Sequence, residues 1–420
     1  MATLVLSSSL YAIRFETLGY RSISMGGASV ANSTGSLAAY NNPALLAKTP
    51  YGLEVSLGVG VSEADYGVGA AAGKLDEIGF LDTIDKATNN YNSLTAEDKQ
   101  VLVEGKNIVL EMDGDSLNVV PQAHLSAQLS NFGFGIFAGS DSAATASVDT
   151  NYDQLIFQQP DGNYTKINDD GSESASNETE YNNHSVNYAF ENGLTYTDVK
   201  GIALAEVPIA YGHNFETNIG NIMVGGAVKY MHAVTYVDVY KVDNTGESSG
   251  EERKDKQSAN FGIDIGLAYQ PSFSYDLTFG LVAKNLNAPS FDFYDGSSYN
   301  IDPLVRAGVA YNIFESLQIA ADIDLTSNEM LTRDVDSQML GGGINYEPFT
   351  NFFALSLRGG LMKNLHKSDQ ASIIYTAGLG IGVKWFQLDV SGQYASKTNS
   401  IDGYSVPQYS KVNVALVSRW

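Results

Sequence analysis

The chain reads as all-β: a transmembrane antiparallel β-barrel of about 14 strands, with an N-terminal hatch inside the lumen and short extracellular helices. Three observations predict this. Segments of about ten residues alternate apolar and polar positions. The links between them alternate short and long, and no apolar run approaches the roughly 18 residues that a spanning helix needs.

Composition agrees. Gly 41, Tyr 25 and Phe 18 stand beside Cys 0 and Trp 2, with a mean hydropathy of -0.12. A barrel dilutes every hydropathy window because its apolar residues occupy alternate positions. The net charge of -24 and pI near 4.4, without clusters of Lys and Arg, exclude nucleic acid as a partner, since phosphates need clustered cations. The absence of cysteine says little on its own, and an oxidising compartment gives no objection to it.

Residues 1–12, MATLVLSSSLYA, read as the remnant of a secretory leader, with a short apolar run and then small residues but no basic n-region. Residues 13–50 are expected to form the hatch. Gly19, Gly26, Gly27 and Gly35 break strand alternation there, Ser, Ala and Asn keep the segment small and polar, and Asn42-Pro43-Ala44 closes it. Residues 51–420 are expected to form the barrel.

Its strands are predicted at 51–63, 116–129, 131–147, 195–214, 219–241, 256–270, 274–287, 301–313, 315–326, 335–347, 352–364, 371–383, 385–397 and 407–420. Phe386, Leu388, Val390, Gly392 and Tyr394 alternate with Gln387, Asp389, Ser391 and Gln393, which places one face in an apolar setting and the other in water. Links after even-numbered strands are short and those after odd-numbered strands mostly long, the longest being 64–115 and 148–194. That pattern puts short turns on the periplasmic side and long loops outside. In the last strand Val412, Val414, Leu416, Ser418 and Trp420 share a face, with Ser418 departing from an apolar run.

Within the long loops, Leu81 to Met112 carries two helical patterns, with Thr95 capping ahead of Asp98. The acidic, aromatic stretch Thr150 to Asn192 is expected to be mobile. Pro121 and Pro208 each mark a bulge or a local opening, because proline cannot donate to a ladder. Gly341-Gly342-Gly343 reads as close packing against the hatch or a strand bend.

Charges expected to face the lumen include Lys229, Lys284, Arg306, Asp322, Asp324, Arg358, Lys384, Asp389 and Arg419. Buried charges must be paired before they do anything else, so a structural role is favoured over a polar permeation path. Asp113-Gly114-Asp115 and Asp169-Asp170-Gly171 with Glu173 lack the full spacing of a calcium loop, and no metal or cofactor is expected. The five histidines are dispersed and neither G-x-S-x-G nor H-E-x-x-H occurs, so no enzyme is expected.

The segment LGYRSISMGGASVANSTGSLAAYNNPALL resembles the N-terminal hatch of FadL-type outer-membrane channels for hydrophobic compounds, carried by Gly26-Gly27-Ala28 and Asn42-Pro43-Ala44. NVVPQAHLSAQL, NFGFGIFAGSDS, ALAEVPIAYGHNF, GGAVKYMHAV and GLVAKNLNAPSF follow in matching order, nearest the conjugal-transfer TraF-like branch. The resemblance implies a monomeric channel of a Gram-negative outer membrane for passive uptake of hydrophobic small molecules, fatty-acid-like or aromatic. Substrate would leave sideways into membrane lipid through a kink in the third strand, which falls by position at Gly139, Ser140 and Asp141. Independently, Val412, Val414, Leu416, Ser418 and Trp420, counted back from an aromatic end, resemble the terminal signal that outer-membrane barrels present to the barrel assembly machinery. The alternative is a non-transporting surface or assembly protein that uses the barrel as an anchor.

Overall fold

The computed structural model describes residues 17–48, 52–242, 248–250, 254–329, 331, 336–348, 353–366, 372–383, 385–401 and 404–420. The leader reading of 1–12 and the lumen charge at Lys384 lie outside the described residues.

Fourteen antiparallel strands form the wall of one sheet, to which the short strand Ser248–Gly250 adds at the end of β5: β1 (Glu54–Asp65), β2 (Ser116–Leu129), β3 (Phe132–Ser147), β4 (Tyr196–Thr217), β5 (Gly220–Val242), β6 (Lys254–Pro271), β7 (Leu277–Lys284), β8 (Leu304–Phe314), β9 (Leu317–Asp324), β10 (Met339–Tyr346), β11 (Phe353–Asn364), β12 (Ile374–Val383), β13 (Phe386–Ala395) and β14 (Tyr409–Arg419). Each pairs with the next, and β14 pairs with β1 from Glu54↔Arg419 to Ala64↔Tyr409, so the sheet closes and has no free edge. Every strand expected from the sequence is present. The wall is uneven in height: β4 and β5 run for 22 and 23 residues, whereas β7, β9 and β10 have 8 each.

Polarity is inverted relative to a water-soluble protein. On β1, Leu57, Val59 and Val61 are exposed while Glu54, Ser56 and Ser62 are buried. On β13, Phe386, Leu388, Val390 and Tyr394 are exposed while Gln387, Asp389, Ser391 and Gln393 are buried. The outward band is therefore the lipid-facing surface of a transmembrane barrel. The polar face of β13, expected in water, is instead packed inside the barrel, where Gln393 Nε2 donates to the Ile23 carbonyl at 2.8 Å. On β14 the out-of-pattern Ser418 donates to the Trp385 carbonyl at 2.8 Å, so its hydroxyl is satisfied despite facing outward.

Residues 17–48 touch the inner face of all fourteen strands. Hydrogen bonds reach them from Glu54 (β1), Ser126 (β2), Leu267 (β6), Thr278 (β7), Asp322 (β9), Thr376 (β12), Gln393 (β13) and Lys411 (β14). Ring contacts come from Phe137 of β3 and Arg358 of β11. Glycines of β4, β5, β8 and β10 make the remaining close approaches. A segment in contact with every stave of a closed ring lies inside it.

The long loops correct one expectation. Residues 150–192 are ordered, as a small sheet (Leu155–Gln158, Tyr164–Ile167, Glu173–Ser176) followed by helices at Glu178–His184 and Val186–Glu191. Leu155, Phe157, Ile167, Val186 and Phe190 pack against Phe80, Ile84 and Leu102 from the β1–β2 loop. The polar stretch could not build a core alone, and the neighbouring loop supplies the other half. That neighbour carries the two expected helices, Phe80–Asn90 and Ala96–Glu111, and a third ahead of them at Val68–Glu77. The helix Ala96–Glu111 begins with the expected capping box, in which Asp98 N donates to Thr95 Oγ1 at 3.1 Å and Thr95 N to Asp98 Oδ2 at 2.6 Å.

Gly26 is a tight backbone-to-backbone junction between the inner segment and the wall. Its φ is +64°, and a Cβ there would stand 2.3 Å from the Leu361 carbonyl oxygen and 2.5 Å from that of Gly342. Gly26→Ala is expected to destabilise the protein by about 2–4 kcal/mol through left-handed strain and overpacking. Gly162→Ala, also at positive φ (+87°) but with nothing within 4 Å, controls for the strain alone. Equal melting temperatures for the two variants in detergent would refute the junction.

Candidate functional site

The inner segment has little regular structure: a helical turn at Tyr20–Ser24, another at Ala38–Asn41, and 3-10 turns at Gly35–Leu37 and Pro43–Ala47. Most of its backbone groups therefore find partners elsewhere, because a buried unpaired amide or carbonyl is costly. Wall side chains provide them. Asp322 Oδ2 accepts from Ser29 N at 2.7 Å and Val30 N at 2.9 Å. Glu54 Oε1 accepts from Ser36 N at 2.7 Å while its other oxygen accepts from Arg419 Nε at 2.8 Å. Thr376 Oγ1 donates to the Ser24 carbonyl and accepts from Gly26 N, both at 3.0 Å, and Lys411 Nζ donates to the Thr17 carbonyl at 2.9 Å.

The Asn-Pro-Ala motif is the other fixed point. Asn42 Oδ1 accepts from Ala44 N at 3.1 Å, while its Nδ2 donates to the Val30 carbonyl at 2.7 Å and the Leu267 carbonyl at 3.3 Å. One side chain thus caps the Pro43–Ala47 turn, ties it back to the segment and joins it to β6. Pro43 fits because Gly225 of β5 has no side chain: a Cβ there would lie 2.3 Å from the Pro43 carbonyl carbon. At the other end Gly26 and Gly27 have φ of +64° and +84°, and Gly26 rests against Gly341 and Gly343 of β10 through its own carbonyl and through Met25. The triple glycine is close packing within an unbroken ladder, not a bend.

Of the sequence-predicted charges, Lys229, Lys284, Arg306, Asp322, Asp324, Arg358 and Asp389 are buried and Arg419 is half-buried; apart from Asp322 and Arg419 they fall in two groups. Lys229 pairs with Glu206 at 2.9 Å and Asp264 at 3.3 Å, and Lys284 Nζ stands 3.3 Å from the centre of the Tyr40 ring. Arg306 pairs with Asp324, and Arg358 with Asp389 and with Glu347 at 3.2 Å, while Arg21 of the inner segment reaches Glu347 at 3.8 Å. Within the segment, burial pushes the Tyr20 hydroxyl up to about 12 although Arg419 lies beside it, and burial with help from Arg21 lowers Lys48 to about 8. Glu54, Glu206 and Asp264 were missed in the sequence; each stands on a buried alternate position, the signal that identified their partners.

Two breaks interrupt the ladders of β3. Pairing of β2 with β3 stops after Asn118↔Ala143 and resumes at Gln122↔Gly139 in the same register, leaving Val119–Pro121 opposite Ser140–Ser142 without ladder pairs. Pro121 lies opposite Ser140 and lacks a donor, so the interruption is a gap and not a bulge. Gly139 stays paired, Ser140 and Asp141 fall in the gap, and Ser142 Oγ donates to the Val119 carbonyl at 2.8 Å in place of a ladder bond. The second break leaves Gly135 and Ile136 of β3 unpaired opposite Val207 and Pro208 of β4.

The first gap is backed by the apolar part of the lumen. Ala143, Ile202, Leu204, Met231 and Ala233 from β3, β4 and β5 enclose Phe291, Phe293, Tyr299 and Ile301 of the β7–β8 loop, and the Tyr299 hydroxyl donates to Asp141 Oδ2 at 3.2 Å. On its outer flank Val61 and Val119 are exposed, at the rim of the lipid-facing band. The loop aromatics were also missed; the signal was a pair of Phe residues two apart, followed by Tyr299 and Ile301, in a loop between two strands.

Asp322→Ala should strip Ser29 N and Val30 N of their shared acceptor at a cost of about 2–4 kcal/mol. Hydrogen exchange checks this: those two amides should lose protection while the amides of β9 keep theirs, and unchanged protection would rule out the anchor.

Among solved structures, the TodX monoaromatic hydrocarbon channel in its deltaS2 mutant form is 13% identical over 97% of this chain and 100% of its own, with a TM-score of 0.54. The TodX deltaS2S3 mutant is 12% identical over 96% of this chain and 99% of its own, at 0.51. The Ralstonia pickettii toluene transporter TbuX is 14% identical over 98% and 99%, at 0.49. The chain thus has the fold of the FadL-type channels. No curated protein matches it in sequence. The family model described as "F plasmid transfer operon, TraF, protein" matches residues 39–324, well over half of the chain, and the chain belongs to that family.

Proposed function

We propose that the protein is an outer-membrane channel through which hydrophobic small molecules, aromatic or fatty-acid-like, pass by diffusion, with residues 13–50 acting as its plug and with exit sideways through the β2–β3 gap. One observation carries the reading: a stretch of wall that lacks ladder pairs, Val119–Pro121 against Ser140–Ser142, is backed by an apolar cluster of wall and loop side chains. An apolar solute is favoured in contact with such a cluster and disfavoured among ion pairs. From the gap it would meet lipid without crossing the polar exterior. Similarity in fold to a protein described as a monoaromatic hydrocarbon channel supports the same class of substrate.

A second reading, a surface protein anchored by the barrel, is favoured by the external loops, which share an ordered core of their own. The channel reading treats them as dispensable for transport.

The protein contains no cysteine, so a staple can be placed cleanly. Val120 and Asp141 face each other across the gap in the continuing register. In Val120→Cys/Asp141→Cys the oxidised form is expected to lose at least about tenfold in cellular uptake of labelled toluene or fatty acid, with recovery on reduction. Ala123→Cys/Ala138→Cys, in the continuous ladder, serves as the control. Uptake that survives oxidation would eliminate the sideways route. Replacing residues 151–192 by a short linker should leave uptake within about twofold; loss of binding to cells or proteins with uptake intact would favour the anchor reading for the loops.

A further inference from the structure

The loop Asn285–Ile301 lies on the long-loop side of the barrel but turns inward. Ser290–Asp292 and Ser298–Asn300 pair as a small hairpin laid against the inner face of the tall wall of β3 to β6. Phe291 and Phe293 are each 1% exposed and Tyr299 is fully buried. These rings have no core of their own. The surface that covers them is made of side chains of the wall, Ile202, Leu204, Met231 and the two alanines, all on inward positions.

The loop is fastened mainly by polar contacts around this apolar centre. Tyr299 donates to Asp141, Thr235 Oγ1 donates to the Asp292 carbonyl at 2.7 Å, and Asn260 Nδ2 donates to the Ser290 carbonyl at 3.2 Å. Lys200 Nζ donates to Ser297 Oγ at 2.8 Å and stands 4.3 Å from the centre of the Phe293 ring. The root is under strain: Asn285 and Ala288 have φ of 55° and 47°, a region disfavoured for residues that carry a Cβ. Asn285 N is also held by Asp264 Oδ1 at 2.8 Å, the carboxylate that pairs with Lys229. The short root and the hairpin make the loop one compact unit, and its fastener at Asp141 is a residue that lies in the wall gap.

We propose that Asn285–Ile301 is a lid that occupies a ring-binding site on the inner wall with its own aromatic side chains, and that a ligand carrying one aromatic ring binds there by displacing it. Displacement breaks the Tyr299–Asp141 bond, so entry from outside and loosening of the wall gap become one event. The consequence for exit rests on the channel reading above; the occupied site and its displacement do not.

Hydrogen exchange on the purified full chain tests the lid directly, with toluene as the ring probe and n-heptane as an apolar probe without a ring. Toluene should accelerate exchange of residues 285–301 on the order of tenfold, n-heptane should do so much less, and Tyr299→Phe should give a comparable acceleration with no probe present. In the same variant toluene should bind several-fold more tightly, because the lid competes less well. Unchanged exchange at saturating toluene overturns the lid, and equal acceleration by n-heptane overturns ring recognition. Toluene-driven lid release in a protein whose uptake ignores the Val120–Asp141 staple supports the lid while removing the exit route. A rigid lid in a protein that the staple blocks does the reverse.

Discussion

Backbone satisfaction inside the barrel is the constraint on which the rest of the structure depends. The segment from Thr17 to Lys48 is mostly buried yet forms only single helical turns, so its amides and carbonyls cannot all pair among themselves. The wall is built to receive them. Asp322, Glu54, Thr376, Gln393, Gln128 and Lys411 each spend a side-chain group on the segment's main chain. This explains why a barrel whose outer surface is apolar has an inner face rich in Asp, Asn, Gln and Lys, and why glycines face Pro43 and Met25, where backbone meets backbone.

The same economy stratifies the lumen. Along the inward positions of β5, Met223 and Ala227 touch the Pro43–Ala47 turn, Lys229 follows with its two carboxylates, and Met231 and Ala233 then meet the loop aromatics. One layer of paired charge therefore separates the apolar contacts of the inner segment from those at the outer mouth. Lys284 and Asn285 connect the layers, since Lys284 lies over the Tyr40 ring and the next residue roots the loop on Asp264.

The barrel was readable from the sequence because its physics is local. Alternation with period two sets each strand's faces, so Phe386 and Asp389 declared opposite sides, and the short-long rhythm of links set the topology. What depends on distant partners was not readable. Nothing around Phe157 or Ile167 announces that Phe80 and Leu102 complete their core, so an ordered stretch looked mobile. Nothing around Tyr299 points to Asp141, 158 positions away. The β2–β3 ladder resumes at Gly139, yet the edge of its gap is set by Pro121 on the facing strand, which local reading treated separately. The charges were found from alternation alone, but the partners that neutralise them came only with the register between strands.

Contact between the inner segment and every strand bears on the order of assembly. The segment precedes β1 in the chain, whereas β14 comes last, and the two strands meet only when the sheet closes. A partial sheet lacking β12 to β14 would leave Ser24, Ile23 and Thr17 without Thr376, Gln393 and Lys411, and one lacking β9 would leave Ser29 and Val30 without Asp322. Seating of the segment and sealing of the cylinder are thus thermodynamically the same step: the last strands to arrive complete the seat as well as the seam.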